Sequence, residues 1–119
     1  MESSYHTDIL NLAAALDRVG GDQELLEEVA RLFLQTSPSL LSEIEAAVAG
    51  RDPKGLERAA HTLKGSVGNF GADAVFQAAF QLEKLGRAGQ LAGVDEAYQN
   101  LQTEMERLRP ALAALGEGS

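Results

Sequence analysis

The chain has no cysteine, which excludes disulfides, thiol chemistry and cysteine-ligated metals and suits a reducing compartment. It has few aromatic residues, 5%, against an abundance of Ala, Leu, Glu and Gln, so its 45% apolar content favours helices packed through small side chains over a sheet. No run of about 18 apolar residues is available to span a membrane. The first residues also lack the basic-then-apolar plan of a signal peptide. The expectation is a cytoplasmic protein without direct membrane insertion. Basic residues are scarce: 10 against 18 acidic ones, a net charge of −8. That balance repels a polyanion and leaves no electrostatic footprint for nucleic acid, so the expected partners are proteins.

The 119 residues are enough for one hydrophobic core and too few for two, and no repeat or long linker divides them, so a single domain over 1–119 is expected. Asp8 can cap a short helix over about 8–19 carrying Ile9, Leu12, Ala13 and Leu16, closed by Gly20 and Gly21. Asp22 caps the next helical pattern, over about 23–49. Its stripe runs through Leu25, Leu26, Val29, Leu32 and Phe33 and resumes at Leu40, Leu41, Ile44, Ala47 and Val48, with Gly50 as its end. Pro38 lies between the halves, which predicts either one kinked helix or two helices meeting there.

Asp52-Pro53 is a strong start signal for a helix over 53–68, because a capping carboxylate precedes the helical position where proline's missing N–H costs nothing. After a break at Asn69, Phe70 and Gly71, the residues Ala74, Val75, Ala78, Leu82 and Leu85 mark a helix over about 72–86, closing near Gly86 to Gly89. The last, over about 91–115, carries Val94, Tyr98, Leu101, Met105, Leu108, Leu112 and Leu115 in steps of three and four. Pro110 predicts a kink or fraying there, and Gly116 to Ser119 a loose tail. Four long amphipathic helices with short connections predict an all-α fold: an antiparallel up-and-down four-helix bundle with a short N-terminal capping helix. The final stripe can serve a partner, but an intramolecular core and a monomer are the expected use.

The chemistry concentrates on the 53–68 helix. At about 100° per residue, Leu56, Ala59, Leu63 and Val67 share one arc and must face the core. His61 lies opposite, with Glu57, Arg58, Lys64, Gly65 and Gly68 on its side. Two helical glycines weaken a helix by roughly 2 kcal/mol together. Both share the histidine's face, so core packing explains them poorly, whereas close approach of a partner's backbone to the imidazole explains them well. The stretch 51–68 also sets Arg51, Lys54, Arg58 and Lys64 against Asp52 and Glu57 in an otherwise acidic chain. Such a strip suits a transient phosphate, or is simply a solvated helix face.

His61-Thr62-Leu63-Lys64-Gly65-Ser66, continuing through Gly68-Asn69-Phe70-Gly71-Ala72 to Leu82-Glu83, resembles the histidine phosphotransfer (HPt) domains of bacterial phosphorelays. Gly20-Gly21-Asp22, Leu32-Phe33-Leu34 with Pro38, Asp52 and Ala59-Ala60 extend the likeness over nearly the whole chain. The resemblance implies that His61 is the phosphoacceptor, taking a phosphoryl group from the aspartate of one receiver domain and giving it to another. Imidazole suits this, being substantially neutral and nucleophilic near neutral pH. Lys64, one turn on, would offset the phosphate charge. Glu83 matches a position that hydrogen-bonds the imidazole in some members, and Arg87 a supporting basic position. Glu83 and Arg87 are also four apart on one helix, so a surface ion pair between them is an equal reading. Arg58 and Asn69 are candidates by position alone.

The partners implied are response-regulator receivers, including those of hybrid sensor kinases. No phosphate cradle, Walker-type lysine or carboxylate cluster with metal spacing appears, so the domain is expected to be a carrier rather than an enzyme. It should have no cofactor of its own, and Mg²⁺ would sit on the receiver. His6 has no second ligand near it and reads as incidental. Two other classes compete: a module that docks partners without being phosphorylated, and a hydrolase using His61 as base. The second lacks an orienting triad, an oxyanion hole and an enclosed pocket.

Overall fold

A computed structural model describes residues 9–116, and every described element is helical: α1 (Leu12–Arg18), α2 (Gln23–Ala49), α3 (Pro53–Val67), a 3₁₀ turn (Gly68–Phe70), α4 (Asp73–Ala88) and α5 (Val94–Gly116). Each long helix packs against two others: α2 on α3 and α5, and α4 on α3 and α5. The core between them is aliphatic, built on Leu26, Ile44, Leu56, Leu63, Leu82, Leu101, Met105, Leu108 and Leu112, with Phe70 as the one fully buried aromatic ring among the described residues.

The expected cap Asp8 and the incidental His6 lie outside the described residues. Asn11 does the capping instead, its side chain accepting from the backbone N–H of Ala14 at 3.0 Å. Because Asn11 is extended, it breaks the phase between Ile9 and the helix: Ile9 is buried, but Leu12 and Ala13 face solvent and Ala15 turns inward. Helix α1 packs on the 3₁₀ turn, where the Asn11 N–H donates to the Phe70 carbonyl at 3.0 Å. Gly71 makes this possible. Its φ of +61° is left-handed, and a Cβ there would stand 2.6 Å from the Asn11 Cβ.

Helix α2 is one uninterrupted element through Pro38, which is exposed. Its buried arc is Leu26, Ala30, Phe33 and Ser37, continuing to Ile44, Ala47 and Val48. The expected stripe is therefore rotated: Leu25 and Leu32 are 41% and 59% exposed. Small residues at 30 and 37 let the neighbouring helices approach, and leucines about 100° away fall outside that contact. The helix ends at Ala49 with Gly50 after it, as the sequence suggests. Gly50 is right-handed and Arg51 takes the left-handed position (φ 51°), while Arg51 N–H and Asp52 N–H donate to the Val48 and Ala47 carbonyls. Asp52 must then stand extended to cap α3, accepting from Gly55 N–H at 3.1 Å, so the turn is dictated by the next helix.

Gly86 does not terminate α4, which continues to Ala88 and closes at the left-handed Gly89. Gly86 is buried against α3 instead, where a Cβ would lie 2.7 Å from both the Glu57 nitrogen and the Pro53 oxygen. Helices α3 and α4 thus touch backbone to backbone at this point. Helix α5 begins at Val94 and neither breaks nor frays at Pro110, which is exposed; the carbonyl deprived of its partner, that of Glu106, sits on an exposed residue within reach of water. Nor is Gly116 part of a loose tail: it is buried, with its carbonyl accepting from Arg31 at 2.6 Å. Residues 117–119 lie outside the described part. No helix among the described residues is long and apolar enough to cross a membrane.

Candidate functional site

On α3 the apolar arc of Leu56, Ala59, Ala60, Leu63 and Val67 is buried, which turns the His61 side chain outward with 66% of it exposed. From α4, one turn before Gly86, comes Glu83, only 1% exposed. The close approach at Gly86 brings its carboxylate up to α3, where Oε2 lies 3.0 Å from His61 Nδ1. The same oxygen accepts from Arg87 at 2.6 Å. Lys64 Nζ stands 2.8 Å from Oε1, an ion pair too poorly aligned to count as a hydrogen bond, so Oε1 has charge compensation without a directed donor. Arg87 also reaches across to Glu57 on α3 at 3.1 Å. Both readings of Glu83 therefore hold together: it touches the imidazole and pairs with Arg87, but from inside the protein rather than on its surface.

Burial pushes the Glu83 carboxyl upward, but Lys64 and His61 outweigh that effect and hold it below the ordinary value of 4.5. It is ionised at neutral pH and can only accept hydrogen bonds, so His61 Nδ1 carries the proton facing it. A carboxyl depressed by folding stabilises the native state above its unfolded value, and that contribution is lost as pH falls through the folded value. The stability advantage of the parent over Glu83→Gln should accordingly be full at about pH 7 and shrink below pH 4.5. Urea unfolding midpoints of both proteins across this range provide the check; a gap that stays constant would mean that the charge of Glu83 is not what stabilises it.

Lys64 does not extend into solvent. Its side chain is 19% exposed, and Nζ lies 4.7 Å from the centre of the Phe80 ring and 5.8 Å from that of Phe76, within cation–π range. Lys84 covers Phe80 at 4.7 Å as well. Gly65 is exposed, and a Cβ there would meet nothing within 4 Å; at Gly68 it would meet only the Phe76 ring at an ordinary 3.8 Å. Packing therefore does not require either glycine. Arg58 is exposed and lines the same shallow groove as His61. Asn69 is exposed in the 3₁₀ turn, about two helical turns beyond the histidine, and no hydrogen bond among the described residues joins its side chain to the His61 cluster.

Sequence reasoning missed Phe80 as a member of this cluster, and set Glu57 on the histidine's face without giving it a role. A readable signal existed: Phe76, Phe80, Glu83 and Arg87 follow one another at steps of four, three and four on α4, and Glu57, His61 and Lys64 do so on α3. Two such faces set against each other alternate acid and base.

Among curated proteins none matches the sequence. The fold is similar to that of histidine-containing phosphotransfer protein B (HptB) from Pseudomonas aeruginosa PAO1, with a TM-score of 0.84 and 20% identity, covering 92% of this chain and 96% of that one. Residues 28–111 match the model of the Hpt domain. That match takes in α3, α4 and the whole cluster around His61, and the chain belongs to the Hpt family of histidine phosphotransfer domains.

Proposed function

We propose that His61 is the phosphoacceptor of this phosphotransfer domain and that Nε2 is the atom that carries the group. The observation behind this is the bond from Nδ1 to the buried Glu83 carboxylate on an otherwise exposed ring. With the proton held on Nδ1, the lone pair sits on Nε2, the nitrogen turned away from the protein. Attack on a receiver's acyl phosphate forms the N–P bond while the P–O bond breaks and its electron pair leaves with the aspartate carboxylate. The imidazole becomes positively charged as it reacts, and the Glu83 carboxylate is placed to stabilise that charge, as a carboxylate does for histidine in hydrolytic triads. Gly65 and Gly68 leave the surface beside the ring bare for a receiver's backbone.

Lys64 offsets charge through Glu83: paired with it, Lys64 keeps the carboxylate from repelling the arriving phosphoryl group. Lys64→Ala should slow transfer by about tenfold to a hundredfold while the domain stays folded. Arg87 and Glu57 support the same balance, and Asn69 has at most a peripheral part. We read the long helices as an antiparallel up-and-down bundle with α1 across one end, supported by the ring of packing pairs and by connections of at most five residues between them. The domain acts as a cytoplasmic, monomeric carrier without ATP binding or autokinase activity. Its partners are receiver domains, including those of hybrid sensor kinases, and these supply the Mg²⁺ that it does not itself hold.

The test is to mix the protein with a phosphorylated receiver and locate the phosphorus by NMR. An acid-labile group on Nε2 of His61 is the expected product. A group on Nδ1, on another residue, or stable to acid would overturn the assignment. A folded protein that takes no label from a broad panel of receivers would be a docking module instead.

A further inference from the structure

The charges around His61 are unevenly committed. Glu83 faces Lys64 and Arg87, and Glu57 faces Arg87, so two carboxylates and two cations form a balanced set. Arg58 stands outside it. It is exposed one turn before His61, and no ion pair among the described residues joins it to a carboxylate. The groove before the imidazole is lined by Lys54, Arg58, Thr62 and Arg87 and by the paired carboxylates Glu57 and Glu83, whereas Lys64 is not on its wall and lies instead against Phe80. Helical side chains lean toward the N-terminus over the preceding turn. That lean favours the turn carrying Arg58 as the one beneath the imidazole, while Lys64 is held on the Glu83 carboxylate.

We propose that Arg58 is the side chain that contacts the phosphoryl group directly during transfer, its guanidinium binding two of the equatorial oxygens. The proposal rests on His61 as phosphoacceptor and adds a second residue that touches the reacting group. As the bond to Nε2 forms and the bond to the aspartate oxygen breaks, negative charge spreads over the three remaining oxygens, and a planar fork of N–H donors matches two of them. Lys64 can reach the group only by leaving Glu83, whose buried Oε1 then has no cation beside it. Arg58 gives up only water.

Transfer from a phosphorylated receiver, followed against receiver concentration, separates this role from general attraction. Arg58→Gln should lower the saturating rate by about tenfold or more, with a smaller change in the half-saturating concentration, and Arg58→Lys should recover part of the loss. Arg109→Gln removes the same charge from an exposed position on α5, which packs mainly on α2 and α4, and should leave both quantities unchanged. An Arg58→Gln protein with the parent's saturating rate, or with a change confined to the half-saturating concentration, would overturn the assignment while leaving His61 as carrier intact. A parent protein that takes no label on His61 would instead bring down the functional reading itself, and this inference with it.

Discussion

His61→Gln is expected to fold as the parent does and to accept phosphoryl groups slower by a factor on the order of 10³ or more. The fold should survive because the side chain is 66% exposed and contributes no buried apolar surface. Glu83 keeps Lys64 and Arg87 when the imidazole bond is lost, so its charge stays compensated and the stability change should stay within about 1.5 kcal/mol. Chemistry has no such reserve. Glutamine offers an amide nitrogen without an available lone pair, and among the described residues no second histidine stands near the groove. Unfolding curves and receiver-dependent labelling of the same preparation separate the two effects. Labelling of the variant at the parent's rate would place the acceptor elsewhere.

Gly86→Ala and Gly65→Ala should shift stability in opposite directions, although both replace a helical glycine by the best helix former. At Gly65 the new methyl enters open space, so the helix gains up to about 1 kcal/mol. At Gly86 it would stand 2.7 Å from backbone atoms of α3, and backbone cannot rotate away as a side chain can. Overpacking of this kind typically costs about 1–3 kcal/mol, which exceeds the gain in propensity. The melting midpoint should fall for Gly86→Ala and rise for Gly65→Ala, by about 4 °C for each kcal/mol of net change.

Function should respond in both proteins, for different reasons. Pushing α4 away from α3 at Gly86 lengthens the path from Glu83 to His61 Nδ1, one turn away. The methyl at Gly65 leaves that bond untouched and obstructs the receiver. Gly86→Ala should therefore slow transfer at saturating receiver, and Gly65→Ala should raise the receiver concentration needed. Equal melting midpoints for the two variants would mean that the helices adjust more freely than their backbone contact implies.

The contrast between these glycines marks where the sequence stops being legible. Helical period alone orients His61 outward and Leu56, Ala59, Leu63 and Val67 inward, because direction around one helix follows from about 100° per residue. Capping chemistry likewise places the start of α3 at Asp52-Pro53, since those residues act on their own backbone. The motif around His61 belongs to the same class, being confined to one stretch of chain.

What period cannot supply is the distance and rotation between two helices. Leu25 and Leu32 look like core residues until the small Ala30 and Ser37 draw neighbours onto another face of α2. Gly86 reads as a stop signal until α3 is laid against it, and nothing local assigns the left-handed turn after α2 to Arg51 rather than to Gly50. Glu83 is the decisive case. Nothing local tells a carboxylate four residues from an arginine that it will be buried, and only the packing of α4 on α3 surrounds it with His61, Lys64 and Arg87. Local physics determined the helices and which face bears the histidine; the tertiary structure decided the charge around it, because burial and ion pairing depend on what stands across the gap between helices.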